Sequence, residues 1–352
     1  MRILFLDLST HLNSLDDFQT RARGGRVGSL RLVPDALSQL GHEVWVLSDI
    51  KAGGMTPTGV RWLQANENLP SINVLVLNRG IGKGYAAIDA QRRVLWTHDL
   101  PHNGFAPEPK VFSAIDLTVF MSRYGEAVWR CFYRDIRKSV RIPNGVDRDL
   151  FRPLEKDLNY LIFASAPNRG LRRLPLIADA IQSRVGRKIT FKAFSNLAVL
   201  HPGEKSEEDQ QAKDGFGLPY MSEAVVQVYD PIPQEQLAVE LGRAGLMIIP
   251  TDYPEICSNI VLQSLSCGTP IITTGGIGSA SEWIRHGRGG LLTRWTPADY
   301  MVYQVEVVRN AVALLENENM HRSMIRMATK APELNSWEAI GRRWEKALKK
   351  LF

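Results

Sequence analysis

The chain has 352 residues, 44% hydrophobic and 23% charged, close to the average of soluble globular proteins, which excludes disordered, collagen-like and disulfide-scaffold chains and points to two domains. Its three cysteines, Cys131, Cys257 and Cys267, show no C-x-x-C spacing, so neither a disulfide framework nor a zinc site is supported and a reducing compartment is expected. The net charge of +6 is spread out, with 19 basic and 15 acidic residues in 1–150 and 24 and 22 in the rest, so a phosphate-bearing small ligand or an anionic membrane surface fits better than nucleic acid.

The opening run 2–6 is apolar and β-prone and reads as a buried parallel strand. Asp7 breaks it too early for a leader peptide or a membrane span. A loop with Gly24, Gly25 and Gly28 follows, then an apolar pattern at helical spacing over 30–40, the stop Gly41 and a second strand over 42–47. Pro34 falls inside that helix, in its first turn or at a kink. Strand-like runs recur at 74–77, 94–97 and 117–121, and this alternation argues a parallel, doubly wound sheet. Residues 152–157 read as a linker. The pattern then restarts with a strand over 159–164, a helix over 171–182, and strands at 189–193, 225–229, 246–249, 270–273 and 290–293. The uncharged stretch 256–281 contains Asn259, Gln263, Gly268 and Pro270, so it reads as a buried helix–turn–strand unit rather than a membrane span. The mixed-charge segment 201–223 reads as a solvated loop.

Several residues fall where chemistry is expected. Glycines ahead of a helix, as at Gly24 and Gly25, let a phosphate approach the backbone, although the spacing is not G-x-G-x-x-G and a tight turn explains them equally well. Asp49 ends the second strand, where a dinucleotide fold keeps its ribose acid. His98 and Asp99 follow the strand 93–97 at the carboxyl edge of the sheet, with His102 three residues beyond Asp99. Asn168 and Arg169 precede a helix whose first turn is expected to hold Arg172 and Arg173. Cations oppose the dipole there, so either a bound anion or solvation explains them. Glu255 precedes a helix beginning near Ser258, Asn259 and Ile260, and Gln263 lies eight positions after Glu255, so one ligand along that terminus could meet both.

These residues resemble the GT-B-fold retaining glycosyltransferases of family 4, the glycosyl transferases group 1 family. The resemblance rests on Gly24-Gly25 with the following helix, Gly41-His42-Glu43-Val44, IPNGVDRDLF at 142–151, Arg169-Gly170, and the run from Glu255 through Cys267-Gly268-Thr269-Pro270-Ile271-Ile272. It implies an α/β architecture of two Rossmann-like doubly wound parallel-sheet domains facing across a cleft: 1–152 for the acceptor, 153–335 for the nucleotide-sugar, and a final helix, 336–352, crossing back to the N-terminal domain. It further implies transfer of a sugar from a nucleotide-diphosphate donor to an acceptor hydroxyl with retention, in polysaccharide or lipopolysaccharide synthesis, without a metal or other cofactor. By position, Glu255 resembles the first acid of the family's E-x7-E motif, Gln263 stands in place of the second, Arg169 resembles the diphosphate-holding base, and His98 resembles the histidine that reaches the transferred sugar. The second basic residue expected near 164–165 is absent, with Arg172 or Arg173 as substitutes. Asp147-Arg148-Asp149 looks like a D-x-D metal motif but belongs to the NGVD string.

Expected partners are the nucleotide-sugar donor and a saccharide or glycolipid acceptor, and no nucleic acid. The expected location is cytoplasmic, at the inner face of the membrane. Peripheral membrane contact is expected through Arg130, Arg134, Arg137, Lys138 and Arg141 beside Trp129, Phe132 and Tyr133. The amphipathic stretch 336–352 is expected to pack on the N-terminal domain rather than enter lipid. A nucleotide-sugar-binding protein without turnover and a nicotinamide-dependent dehydrogenase remain as alternative readings.

Overall fold

The computed structural model describes all residues except 21–23, 65–66, 79–87, 102–108, 196–225, 295–299 and 332–333. Two sequence expectations, the loop 201–223 and His102, therefore lie outside the described residues. The chain forms two compact units, Met1–Gly145 with Asn335–Phe352, and Val146–Leu334.

The first unit is built on eight strands: β1 (Arg2–Leu12), β2 (Glu43–Ile50), β3 (Gly54–Met55), β4 (Arg61–Leu63), β5 (Ile72–Asn78), β6 (Ala90–Trp96), β7 (Leu117–Phe120) and β8 (Ser139–Arg141). Their order is β3-β4-β2-β1-β5-β6-β7-β8, parallel throughout except for the β3–β4 pair at one edge. β1 runs six residues past the apolar stretch that signals it, because Asp7 does not end the strand. Its carboxylate is 2% exposed and ion-paired to Arg26. A bulge between Asp7 and His11 then carries the pairing with β2 onward to Ile50. Helix α1 (Gly25–Gln39) starts five residues before the periodic pattern, with Gly24 as its N-cap and Pro34 buried inside it. Helix α2 (Arg123–Phe132) is capped by Ser122, whose hydroxyl accepts from the Gly125 amide.

The C-terminal helix, Trp337–Lys349, is capped by Ser336 and belongs to this unit. Its apolar stripe, Ile340, Trp344 and Leu348, is fully buried. Gly341 lies so close to α1 that an added Cβ would come within 2.7 Å of the Ala36 Cβ. The Leu351 carbonyl accepts from Arg92 at 2.7 Å. The stripe is thus covered by protein, which removes it as a lipid-binding face.

The second unit adds β9 (Asp157–Ala164), β10 (Thr190–Phe194), β11 (Val226–Tyr229), β12 (Ala244–Ile249), β13 (Ile271–Gly275), β14 (Arg285–His286) and β15 (Gly289–Arg294). These form one sheet in the order β11-β10-β9-β12-β13-β15-β14, parallel at every pair. Helices α3 (Leu174–Val185), α4 (Gln234–Arg243) and α5 (Asn259–Ser266) connect them. β9, β12 and β13 read as near-continuous apolar runs because both faces are covered. Among the described residues, no helix is long and apolar enough to cross a membrane.

The Lys156 side chain is half-buried in this unit. The Lys156 amine donates to the carbonyls of Leu241 (3.2 Å) and Gly242 (2.6 Å) and to the Thr269 hydroxyl (2.6 Å). Burial drives its pKa down to about 7, against a smaller opposing pull from Cys267. An amine that loses its proton more easily folded than unfolded binds fewer protons in the native state, so unfolding free energy is expected to rise between pH 7 and 10. The slope is about 1.4 kcal/mol per pH unit. Denaturation midpoints across that window should climb in the wild type and not in Lys156→Met; parallel profiles would remove Lys156 as the cause.

Candidate functional site

In the second sheet the chain leaves β9 for β10 on one side and later returns to β12 on the other. Such a reversal opens a crevice at the carboxyl ends of the two central strands, which is where open α/β sheets hold ligands. The segments that follow β9, β12 and β13 all emerge at this edge, and they carry most of the residues singled out by the sequence.

After β9, residues Pro167–Arg169 make a 3-10 turn, Gly170 reverses the chain, and Leu171–Arg173 make a second 3-10 turn before α3 starts at Leu174. The helix therefore begins later than the expected 171, and Arg172 and Arg173 precede its first turn rather than sit inside it. The reason is Gly170, at φ +99°, with the Pro250 carbonyl oxygen 2.3 Å from any added Cβ. Only glycine adopts this backbone so close to β12 without strain, and the contact sets Arg169 above the end of that strand.

Arg169 is 9% exposed. Its Nε donates to Glu255 Oε1 at 2.6 Å and its Nη1 to Asn168 Oδ1 at 2.8 Å. The guanidinium lies 3.3 Å over the Tyr253 ring. Two residues 86 positions apart, expected to serve diphosphate and sugar separately, thus form one charge-assisted pair. Glu255 is fixed from behind. Its amide donates to the Tyr253 carbonyl at 3.0 Å, and its carbonyl accepts from the Ser279 amide at 2.9 Å.

Gly278, at φ +62°, would place a Cβ 2.7 Å from both the amide nitrogen and the carbonyl oxygen of Glu255. Gly278→Ala is expected to lower stability by about 1–3 kcal/mol through backbone strain and to shift Glu255 away from Arg169. A melting temperature and nucleotide affinity both equal to wild type would show that the loop after β13 does not set the pair.

The remaining candidates divide into two groups. Ser258 is the N-cap of α5, and its own side chain makes no capping hydrogen bond to the helix that starts at Asn259 and Ile260. Asn168 faces Arg169. By contrast, Arg173 is turned inward: it donates to the Pro250 carbonyl at 2.6 Å and bidentately to Asp252 at 3.2 and 2.6 Å. Those bonds from Arg173 hold the Asp252 carboxyl below the usual carboxylate range. Gln263 donates through its amide to Gln234 on α4 at 2.7 Å. Asp147, the first acid of the D-x-D lookalike, accepts from the amides of Asp149 and Leu150 at 3.1 and 3.0 Å and so closes a turn.

Gly24, Gly25 and His98 lie in the first unit, also at the carboxyl edge of their sheet. Gly24 has φ −64°, an ordinary extended residue, so neither a left-handed backbone nor a tight turn demands glycine there. His98 follows β6 with its ring 4.3 Å from that of Trp96, and the Asp99 carbonyl anchors the turn by accepting from Trp129 Nε1 at 2.9 Å. Asp49 pairs with His11 at 2.5 Å on the surface.

The sequence reading missed a buried cluster at the reversal between β1 and β5. Asp7 accepts from Arg26, from Ser9 (2.6 Å), from Thr10 (3.0 Å) and from Asn78 Nδ2 (2.6 Å). Burial pushes its carboxyl up, but the Arg26 charge and these hydrogen bonds outweigh burial and hold it below the usual range. A signal was present, since an acid directly after an apolar strand and an arginine just past a glycine pair sit at a sheet's carboxyl edge.

Two doubly wound parallel-sheet units define the GT-B class. Among solved structures of that fold, the sucrose-phosphate synthase of Thermosynechococcus elongatus aligns over 100% of this chain and 99% of its own, with TM-score 0.75 and 14% identity. Anabaena HepE, solved with UDP and glucose, aligns over 99% of each chain with TM-score 0.69 and 16% identity. Residues 160–310, under half of the chain, match the model of the family Glycosyl transferases group 1, and the chain has the GT-B fold of these structures. A D-inositol 3-phosphate glycosyltransferase of Acidothermus cellulolyticus is 25% identical over 246 residues, covering 60% of this chain and 53% of the relative. The chain therefore spans about half the length of that curated relative.

Proposed function

We propose that the chain transfers a sugar from a nucleotide-diphosphate donor to a hydroxyl of a saccharide or glycolipid acceptor, with retention of configuration and without a metal, in polysaccharide or lipopolysaccharide synthesis. The observation that carries this reading is the Arg169–Glu255 pair at the reversal of strand order, beside the amides of α5. Departure of the nucleoside diphosphate is the charge-developing step, and preorganised donors aimed at that charge are usually the largest catalytic contribution. In this reading Arg169 and the N-terminal end of α5 stabilise the leaving oxygens. Glu255 accepts from the donor sugar's hydroxyls. The acceptor's proton passes to the departing diphosphate, so no separate base is assigned.

The test is a panel of UDP-, GDP- and ADP-sugars, with NAD as the contrasting ligand. Binding of one nucleoside diphosphate, release of its sugar to an added saccharide, and an unchanged anomeric centre in the product by proton NMR are expected. UDP is the first nucleotide to try, since HepE was solved with it. Tight nucleotide binding with neither hydrolysis nor transfer would favour a binding protein without turnover, a reading supported by Gln263, whose amide is engaged by Gln234. Binding of NAD in place of all three would sink both.

A further inference from the structure

Arg169 and Arg173 each carry a carboxylate of their own. Arg169 is paired with Glu255, and Arg173, whose side chain is 16% exposed, is paired with Asp252, which is 44% exposed. The sequence resemblance offers Arg172 or Arg173 as a substitute for the base missing near 164–165, but Arg173 points its donors elsewhere. Its Nη1 donates at 2.6 Å to the Pro250 carbonyl, the same oxygen that packs against Gly170. One carbonyl just past the end of β12 is therefore gripped at two points of the segment that carries Arg169, one residue after it and four residues after it.

The carbonyls on either side are held as well. Thr273 on β13 donates to the Ile249 carbonyl at 2.9 Å, and its neighbour Thr274 donates to the Thr251 carbonyl. The Tyr303 hydroxyl bonds Thr274 Oγ1 at 2.7 Å. Three successive carbonyls thus accept from side chains, the outer two from β13 and the middle one from Arg173. The helix Tyr300–Glu316 also supports Arg173. Its guanidinium lies 5.3 Å from the Tyr300 ring centroid, and Gln304 Nε2 donates to the Tyr300 hydroxyl at 2.8 Å. The loop that starts at Pro250 then delivers both contacts of Arg169, the Tyr253 ring and Glu255.

We propose that Arg173 and Asp252 are positioning residues that lock the turn 167–173 onto the loop 250–255 and so hold Arg169 in place for the donor diphosphate without touching it. The inference rests on the assignment of Arg169 to that diphosphate. A bidentate carboxylate fixes the plane of a guanidinium, whereas an ion pair with a half-exposed partner adds little stability. Breaking it should therefore disturb orientation more than folding.

The experiment is titration calorimetry with UDP, GDP and ADP on the full chain. Arg173→Met and Asp252→Asn are each expected to weaken nucleotide binding by about tenfold, within the range that touching residues transmit to one another, at unchanged melting temperature. In Arg169→Ala, adding Arg173→Met should cost nothing further, because the group being positioned is gone. A direct ligand of the diphosphate behaves in the opposite way. Asp252→Asn would then tighten binding by leaving the Arg173 cation less compensated, and the losses in the double variant would multiply; either result overturns the proposal. A second measurement needs no donor. The Arg169 Nε–H signal in nitrogen-15 NMR, assigned by its loss in Arg169→Ala, should shift and lose protection from exchange in Arg173→Met and Asp252→Asn. Arg173→Lys, which keeps a donor for the Pro250 carbonyl, should restore part of it. A signal identical to wild type in both variants overturns the proposal. If the signal moves as expected while the wild type binds none of the three nucleotides, the positioning stands and the assignment of Arg169 to a nucleotide donor is what fails.

Discussion

Glu255→Gln is expected to lower sugar transfer by about 10²–10³-fold, the range for losing one preorganised electrostatic partner of a transition state, while leaving nucleotide affinity equal or higher. The second half of that expectation follows from the geometry. Glu255 Oε1 accepts from Arg169 Nε at 2.6 Å, so the carboxylate neutralises the cation assigned to the diphosphate. Glutamine keeps a carbonyl acceptor in the same place but removes the charge, and Arg169 then meets the diphosphate less compensated. Arg169→Ala acts in the opposite direction. It should weaken nucleoside-diphosphate binding by about 1.5–3 kcal/mol, the worth of a charge-assisted hydrogen bond, and strand Glu255 beside an incoming anion. The two residues touch, so the double variant should not show the sum of the single effects. Titration calorimetry with UDP and GDP separates these outcomes from rates. Nucleotide affinity that falls as far in Glu255→Gln as in Arg169→Ala would show that the pair acts as one structural unit and would remove the division of roles.

The sequence made the two parallel sheets readable because their strands are short apolar runs buried on both faces, with glycine or polar residues closing each one. It was less informative where a charge is compensated from a distance. Asp7 reads as the end of a strand, but Arg26 and Asn78, 19 and 71 positions away, keep it inside one. The start of the helix after β9 was misplaced for a related reason. Helical spacing from 171 onward is compatible with a first turn, and only the approach of the Pro250 carbonyl to Gly170 shows that the chain must reverse there first. In the candidate site, Arg169, Glu255 and Gln263 could each be named from local context, because each lies just beyond a strand or near a helix start. Their mutual arrangement could not. The 86-residue separation of Arg169 and Glu255 and the engagement of Gln263 by Gln234 are decided by strand order, which local patterns leave open.

Strand order also explains why the far C-terminus matters to the first unit. Trp344 is fully buried, with ring centroids 5.0 Å from Trp96 on β6 and 6.1 Å from Phe5 on β1, so one side chain from the last helix spans strands on both sides of β5. Truncating a buried tryptophan costs about 3–5 kcal/mol, a large share of the roughly 5–15 kcal/mol that holds a domain folded. Trp344→Ala is therefore expected to unfold the first unit near physiological temperature. The second unit, with Arg169 and Glu255, should keep its nucleotide affinity below that transition. Trp344→Phe should behave differently. The Trp344 Nε1 hydrogen is buried without an acceptor among the described residues, a liability of about 1–3 kcal/mol, and phenylalanine removes that donor while keeping an aromatic ring against Phe5 and Trp96. Its loss of volume and its relief of the unpaired donor oppose each other, so its melting temperature should stay within a few degrees of wild type. Calorimetry resolves both variants. If Trp344→Phe falls as far as Trp344→Ala, the indole N–H has a role that the packing does not account for, and if neither falls, the last helix is not what holds the first sheet together.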